Sequence, residues 1–285
     1  MIGVFDSGSG GLTVMRALER ELAYESFVYL GDHANAPYGN RQPAEIYDFT
    51  RHGVERLFRL GCGLVIVACN TAVATGLRRL QTTWLPGSHP SRRVLGVFVP
   101  LIEAITGVPW TRDARLPPDG ISARPLHVAV FATRHTVRTR AYVDEIQARA
   151  PGMRVSQQAC PELAGMIDAG VAEDAIRRAV RGHIAELLET AGATPDVCIL
   201  GCTHYPLVQH IFVDELPRGV RLLSQPDATA ASLRRYLARH PAFSAGVASP
   251  TVYLTTGDAD HVSALASRYY GRAVRFRTAP TAPSD

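Results

Sequence analysis

The chain has 285 residues, 46% of them hydrophobic, enough to bury two cores of ordinary size. Its formal charge of +4 is spread out: arginines alternate with acids, as at Arg16, Glu19, Arg20 and Glu21, so a solvated surface is expected and no nucleic-acid partner. No run approaches the roughly 20 apolar residues of a membrane span, and Met1 leads directly into an apolar strand without a signal-peptide pattern, so the expectation is a cytoplasmic protein with no membrane partner.

Two further exclusions are chemical. The sequence contains no lysine, so it can form neither the Schiff base of a pyridoxal-phosphate enzyme nor the lysine contact of a P-loop. Its cysteines, Cys62, Cys69, Cys160, Cys198 and Cys202, are odd in number. They show neither a disulfide framework nor a paired C-x-x-C zinc pattern, so free thiols are expected and no cysteine-held metal.

In chain order, IGVF at 2–5 reads as a buried strand. It runs into Asp6-Ser7-Gly8-Ser9-Gly10-Gly11, a turn whose glycines let backbone approach a ligand and whose amides attract an anion. The third glycine of a G-x-G-x-x-G is missing, position 13 being Thr; a tight βα turn explains the glycines equally, and Asp6 could cap the helix or orient a neighbour. A helix is expected over 13–24, a strand at 27–31, a helix over 43–60 and a strand at 64–68. Cys69-Asn70-Thr71 follows at a strand-to-helix junction, where a helix dipole can bring a thiol from about 8.5 toward neutrality. A cysteine simply packing the strand end is the alternative.

A strand is next expected at 94–99. The Pro/Gly-rich piece 107–125 reads as a linker or surface insertion, followed by a strand at 127–132 and helices over 136–150 and 173–190. After a strand at 197–201 come Cys202-Thr203-His204-Tyr205-Pro206, where His204 either tunes the thiol or is a hydrogen-bonded structural residue. Strands at 220–224 and 252–256 follow, and TAPTAPSD forms a polar tail expected to be disordered. Apolar runs of this kind between helices predict parallel sheets covered on both faces.

LVIVACNTA and VCILGCTHY repeat one plan: buried strand, small residue, cysteine, then hydrogen-bonding residues opening a helix. Ligand crevices lie beyond the carboxyl ends of parallel strands, so both thiols would face one. A pair of like acid/base groups suits racemisation, because one removes a proton from one face and the other delivers a proton to the opposite face. Asn70, Thr71, Thr203 and the glycine-turn amides are candidate donors for the carbanion-like charge.

FDSGSGGLTV, YLGD, PYG, ACNTA, ATRHTV, LGCTHYPL and LTTGD, collinear along nearly the whole chain, resemble the glutamate racemases of the aspartate/glutamate racemase superfamily. The resemblance implies two pseudosymmetric parallel-sheet α/β domains with the active site in the cleft between them, residues 1–96 plus 209–285 forming one lobe and 97–208 the other. It implies Cys69 and Cys202 as the catalytic thiols, Asp6 assisting Cys69, and His204 assisting Cys202. Asp168 aligns with the glutamate that the family places near the second thiol, with Glu162 a nearby rival. Substrate contacts map onto Asp6, Ser7, Pro37, Tyr38, Gly39, Asn70, Thr71, Thr133, Thr136, Thr203 and His204. The implied activity is cofactor-independent interconversion of L- and D-glutamate, supplying D-glutamate for peptidoglycan, in a protein that could form a homodimer. The chain departs from the family at GDHANAPYG, where His33 and Asn35 replace the usual Thr and Arg. Other readings are a racemase of aspartate or another amino acid, a cysteine-dependent hydrolase or transferase with one nucleophilic thiol, a binding protein, and a metal site built from Asp32, His33 and Cys202.

Overall fold

The structure, a computed structural model, describes residues 1–107 and 125–280; most of the segment read as a linker or insertion, and the last five residues of the expected tail, lie outside these. Among the described residues ten strands form two sheets, and every pairing is parallel. β1 (Ile2–Asp6), β2 (Phe27–Gly31), β3 (Leu64–Val67), β4 (Arg93–Gly96), β9 (Val252–Thr255) and β10 (Phe276–Thr278) make the first, in the order β10-β9-β2-β1-β3-β4. β5 (His127–Ala132), β6 (Arg154–Ala159), β7 (Val197–Gly201) and β8 (Arg221–Ser224) make the second, in the order β6-β5-β7-β8. Four strands of the first sheet, β2-β1-β3-β4, thus repeat the arrangement of the whole second sheet. Cys69 and Cys202 follow the third strand of each set.

Strand alternation sends successive side chains to opposite faces, which builds three apolar layers. On the outer face of the first sheet, Phe5, Val28, Leu30, Val65 and Val67 pack with Ile46, Val54, Leu57 and Phe58 of the helix Pro43–Arg59. That helix opens on Pro43 and on a reciprocal cap between Gln42 and Glu45, as its first residues require. On the outer face of the second sheet, Ala129, Phe131, Cys198 and Leu200 pack with Ile176, Val180, Ile184 and Leu187 of the helix Glu173–Ala191. The middle layer belongs to both lobes. Helix Gln225–Arg239 lies along Leu12–Glu21 and Phe98–Thr106, the latter also touches Ala141–Arg149, and one continuous core joins Val4 and Ile66 to Val130 and Ile199. Each fully buried aliphatic side chain there contributes about 1.5–3 kcal/mol, so this shared layer holds the two lobes together.

Four expectations need correction. The strand read over 94–99 ends at Gly96 and a helix starts at Phe98, because Pro100 falls in a first helical turn, where its missing N–H costs nothing. The helix read over 136–150 is two helices, Arg134–Thr139 and Ala141–Arg149, broken at Arg140, whose φ of 57° is left-handed. β6 and β10 went unread: both are edge strands, and β6 carries the polar sequence RVSQQA. The return to the first lobe, expected at 209, comes later, since β8 hydrogen-bonds along β7 in the second sheet.

Candidate active site

β1 ends in Asp6, whose side chain is fully buried. The turn after it folds back on this carboxylate: the Gly8 amide donates to Asp6 Oδ2 at 3.0 Å, and Tyr29 donates its hydroxyl to the Gly8 carbonyl at 2.6 Å. A Cβ at Gly11 would lie 2.5 Å from Asp6 Cβ, so close approach accounts for that glycine. His33 braces the same turn, its Nε2 3.0 Å from Ser9 Oγ and its Nδ1 2.8 Å from Thr255 Oγ1. Burial lowers the His33 pKa and keeps a neutral ring between these hydroxyls. Burial pushes the Asp6 carboxyl above its ordinary range, against the pull of His204 and of the Gly8 and Gly11 amides.

Cys69 leaves β3 as the residue before the helix that starts at Asn70, and its thiol donates to Ser7 Oγ at 3.3 Å. Of the two readings of this cysteine, helix-dipole activation does not win here. Burial first, and then the neighbouring Asp6 carboxylate, push the Cys69 thiol up to about 12, outweighing the Ser7 contact and the Ala72 amide. Cys69 is therefore a neutral thiol near pH 7.

On the second lobe, Cys202 follows β7 and its Sγ lies 3.7 Å from His204 Nδ1. The other ring nitrogen, Nε2, is 3.0 Å from Asp168 Oδ2, an ion-pair contact too poorly aligned for a good hydrogen bond. Burial alone would lower the His204 pKa, but Asp168 and Cys202 hold it well above its usual value, so the ring carries a proton. Asp168 is opposed by its own burial, yet the facing imidazole and a 2.6 Å hydrogen bond from Tyr269 keep its carboxyl below the usual range. The shorter acid thus reaches its histidine. Glu162, its rival, is exposed at the start of the helix Leu163–Asp168 and sits in a left-handed conformation with φ of 64°.

The two halves meet through small polar side chains. Thr203 donates to Asp6 Oδ1 at 3.5 Å, and Thr13 donates to the Thr203 carbonyl at 3.1 Å. Thr71 Oγ1 is 3.2 Å from Thr133 Oγ1 and 3.5 Å from Thr136 Oγ1, while Thr133 also caps its helix by accepting from the Thr136 amide. Asn70 is held from behind, its Oδ1 accepting from Tyr142 at 2.7 Å and from Gln225 at 3.1 Å. Its Nδ2 is buried with no partner among the described residues, a donor left for a ligand oxygen.

Gly39 faces Thr133 across the cleft, and Pro37 beside it is exposed. The Tyr38 ring packs in the outer core of the first lobe, and its hydroxyl is committed to Asp32 at 2.6 Å, which leaves only its backbone to the cleft. Asp32 also accepts from Asn35 and Thr256, and among the described residues no group of three or more His, Cys, Asp or Glu is placed to hold a metal ion. Tyr142, Gln225 and Tyr269, which orient site residues, carried no motif in the sequence; each is 72 to 155 residues distant from the group it touches.

No protein-family model matches the chain. Among curated proteins, the glutamate racemase of Phenylobacterium zucineum is 44% identical over 282 residues, covering 98% of this chain and 99% of that protein. That of Roseobacter denitrificans is 48% identical over 280 residues, with the same coverage. Among solved structures, a glutamate racemase isoform from Bacillus anthracis superposes with a TM-score of 0.85 at 29% identity, covering 98% of this chain and 97% of the other. The Thermus thermophilus glutamate racemase, in complex with β-chloro-D-alanine, gives 0.77 at 31% identity, covering 97% and 95%. An aspartate racemase from Picrophilus torridus shares the fold alone, with a TM-score of 0.53 at 14% identity over 83% of this chain. By sequence over nearly its whole length, the chain belongs to the glutamate racemase family.

Proposed function

We propose that this chain interconverts L- and D-glutamate without a cofactor, Cys69 and Cys202 exchanging protons with opposite faces of the α-carbon. The observation that carries this reading is the polar bridge from thiol to thiol: Cys69 to Ser7, its neighbour Asp6 to Thr203, and Cys202, next to Thr203, to His204. One sulfur, as a thiolate, takes the α-proton as the C–H bond breaks, and the other, as a thiol, gives its proton to the opposite face of the carbanion. Each turnover leaves the protonation of the pair reversed, so the same site runs in both directions.

The two thiols sit in unequal surroundings. Cys69 is a neutral thiol ready to donate, and Cys202 Sγ lies 3.7 Å from Nδ1 of the protonated His204 ring. The Asp168 carboxylate keeps that imidazolium charged. Asn70 Nδ2, the Thr71, Thr133, Thr136 and Thr203 hydroxyls and the amides of the glycine turn are the donors that would hold the two carboxylates and the developing negative charge. As the resemblance implies, the D-glutamate formed would serve peptidoglycan in the cytoplasm.

The test is chiral chromatography after incubating purified protein with L-glutamate and, separately, L-aspartate, with chelator present and no pyridoxal phosphate. D-Glutamate alone is expected. D-Aspartate alone moves the substrate within the superfamily, and neither product overturns the proposal.

A further inference from the structure

Outside the thiol site, the mouth of the cleft holds a cavity of about 280 Å³ built from both lobes. Gly39, Asn40, Arg41 and Gln42 of the first lobe face Arg134, His135 and Arg138 of the second, and the lining contains no acid. Arg134 and Arg138 are exposed and have no carboxylate partner among the described residues. Arg41 is anchored by its Nε to the Asn35 carbonyl at 3.0 Å, and its terminal nitrogens meet no acid among the described residues. The acid touching this loop, Glu45, accepts from the Gln42 amide as a helix cap.

His135 defines the chemistry further. It is buried, and its Nε2 lies 2.9 Å from Thr75 Oγ1. The Thr75 hydroxyl already donates to the Thr71 carbonyl, so Nε2 must be the donor and carry the proton. Burial, and then Arg138, lower the His135 pKa, so the ring is neutral and Nδ1 is an acceptor; it is buried with no partner among the described residues. Three guanidinium groups and one orphaned acceptor call for an anion that also carries an acidic hydroxyl.

We propose that this cavity binds a monohydrogen phosphate group, free or as a phosphomonoester, with its oxygens on Arg41, Arg134 and Arg138 and its P–OH donated to His135 Nδ1. A ligand held from both lobes ties the 39–42 loop to the helix Arg134–Thr139 and resists opening of the cleft. The cavity shares Gly39 with the implied substrate contacts but is lined by neither thiol, and its test does not depend on racemase activity.

The experiment is calorimetric titration of the full chain with inorganic phosphate, with sulfate and with glycerol phosphate near neutral pH, paired with melting curves. Saturable phosphate binding is expected, with sulfate weaker because it lacks the hydroxyl. Arg134→Gln combined with Arg138→Gln should weaken phosphate at least tenfold and remove the phosphate-induced rise in Tm. Arg218→Gln combined with Arg239→Gln, neither in the cavity lining, should leave binding unchanged. Glycerol phosphate binding more tightly than phosphate assigns an ester as ligand, and the reverse assigns the free ion. No saturable binding, equal binding of sulfate, or unchanged binding by the Arg134/Arg138 variant overturns the proposal.

Discussion

Thr203, the residue after one cysteine, donates its hydroxyl to the Asp6 carboxylate at 3.5 Å, and Asp6 precedes the serine that accepts from the other cysteine. This contact ties the end of β7 to the end of β1, across the two sheets. Groups that act together from two lobes need such a link, because a misplacement of about 1 Å can cost about a hundredfold in rate.

Asp168→Asn should lower the pKa of His204, since the carboxylate is the main group raising it. The sign follows from linkage: a raised histidine contributes stability that is complete below about 6.5 and is lost as pH rises through the folded value. The depressed Asp168 contributes stability present above about 3.9 and lost as pH falls through its own folded value. NMR titration of the His204 ring should show the imidazole titrating at lower pH in the variant. Because the Asp168 side chain is 45% exposed and Asp6 is fully buried, Asp168→Asn should also retain more activity than Asp6→Asn.

Gly10→Ala should be damaging out of proportion to one methyl group. The added Cβ would lie 2.5 Å from Thr203 Oγ1 and 2.6 Å from His204 Cε1, so the second lobe must move away. A displacement of that order costs about a hundredfold in kcat/KM, with the fold retained by circular dichroism. Activity within twofold of wild type would show that the lobes can shift without cost.

Tyr142→Phe removes the 2.7 Å hydrogen bond that orients Asn70 and leaves the Gln225 contact in place. A loss of about 1 kcal/mol is expected, seen as a Tm lower by about 2–4 °C, together with a higher KM for glutamate. An unchanged KM would show that Asn70 Nδ2 does not hold substrate.

Cys69 should resist alkylation in the free protein. Its thiol is pushed up to about 12 and nearly covered, so iodoacetamide labelling followed by peptide mapping should be slow near pH 7 and accelerate as pH rises. Rapid labelling at pH 7 would mean that burial does not govern this thiol.

The parts of this molecule that are local in sequence were readable from it. The strands β1, β2, β3, β5 and β7 are apolar because both faces are covered, and the cysteines sit at their carboxyl ends where a βα turn must open a crevice. β6 stayed hidden because its sequence, RVSQQA, is polar and its side chains are only partly buried, so it gives no apolar signal. The state of Cys69 stayed open for a different reason: its position in the chain offers a helix dipole, but its burial beside Asp6 is set by the packing of distant segments. Gln225 reaches Asn70 from 155 residues away, a relationship that only the fold creates.

The most direct test of two-thiol racemisation is to run the reaction from L-glutamate in D2O and measure α-deuterium in both enantiomers at early times. Two opposed thiols predict deuterium in the D-glutamate formed and none in the recovered L-glutamate, because the proton returned to the new face comes from a solvent-exchanged sulfur. Deuterium appearing equally in both enantiomers from the start would mean that one group serves both faces, and would contradict the assignment of Cys69 and Cys202 as partners.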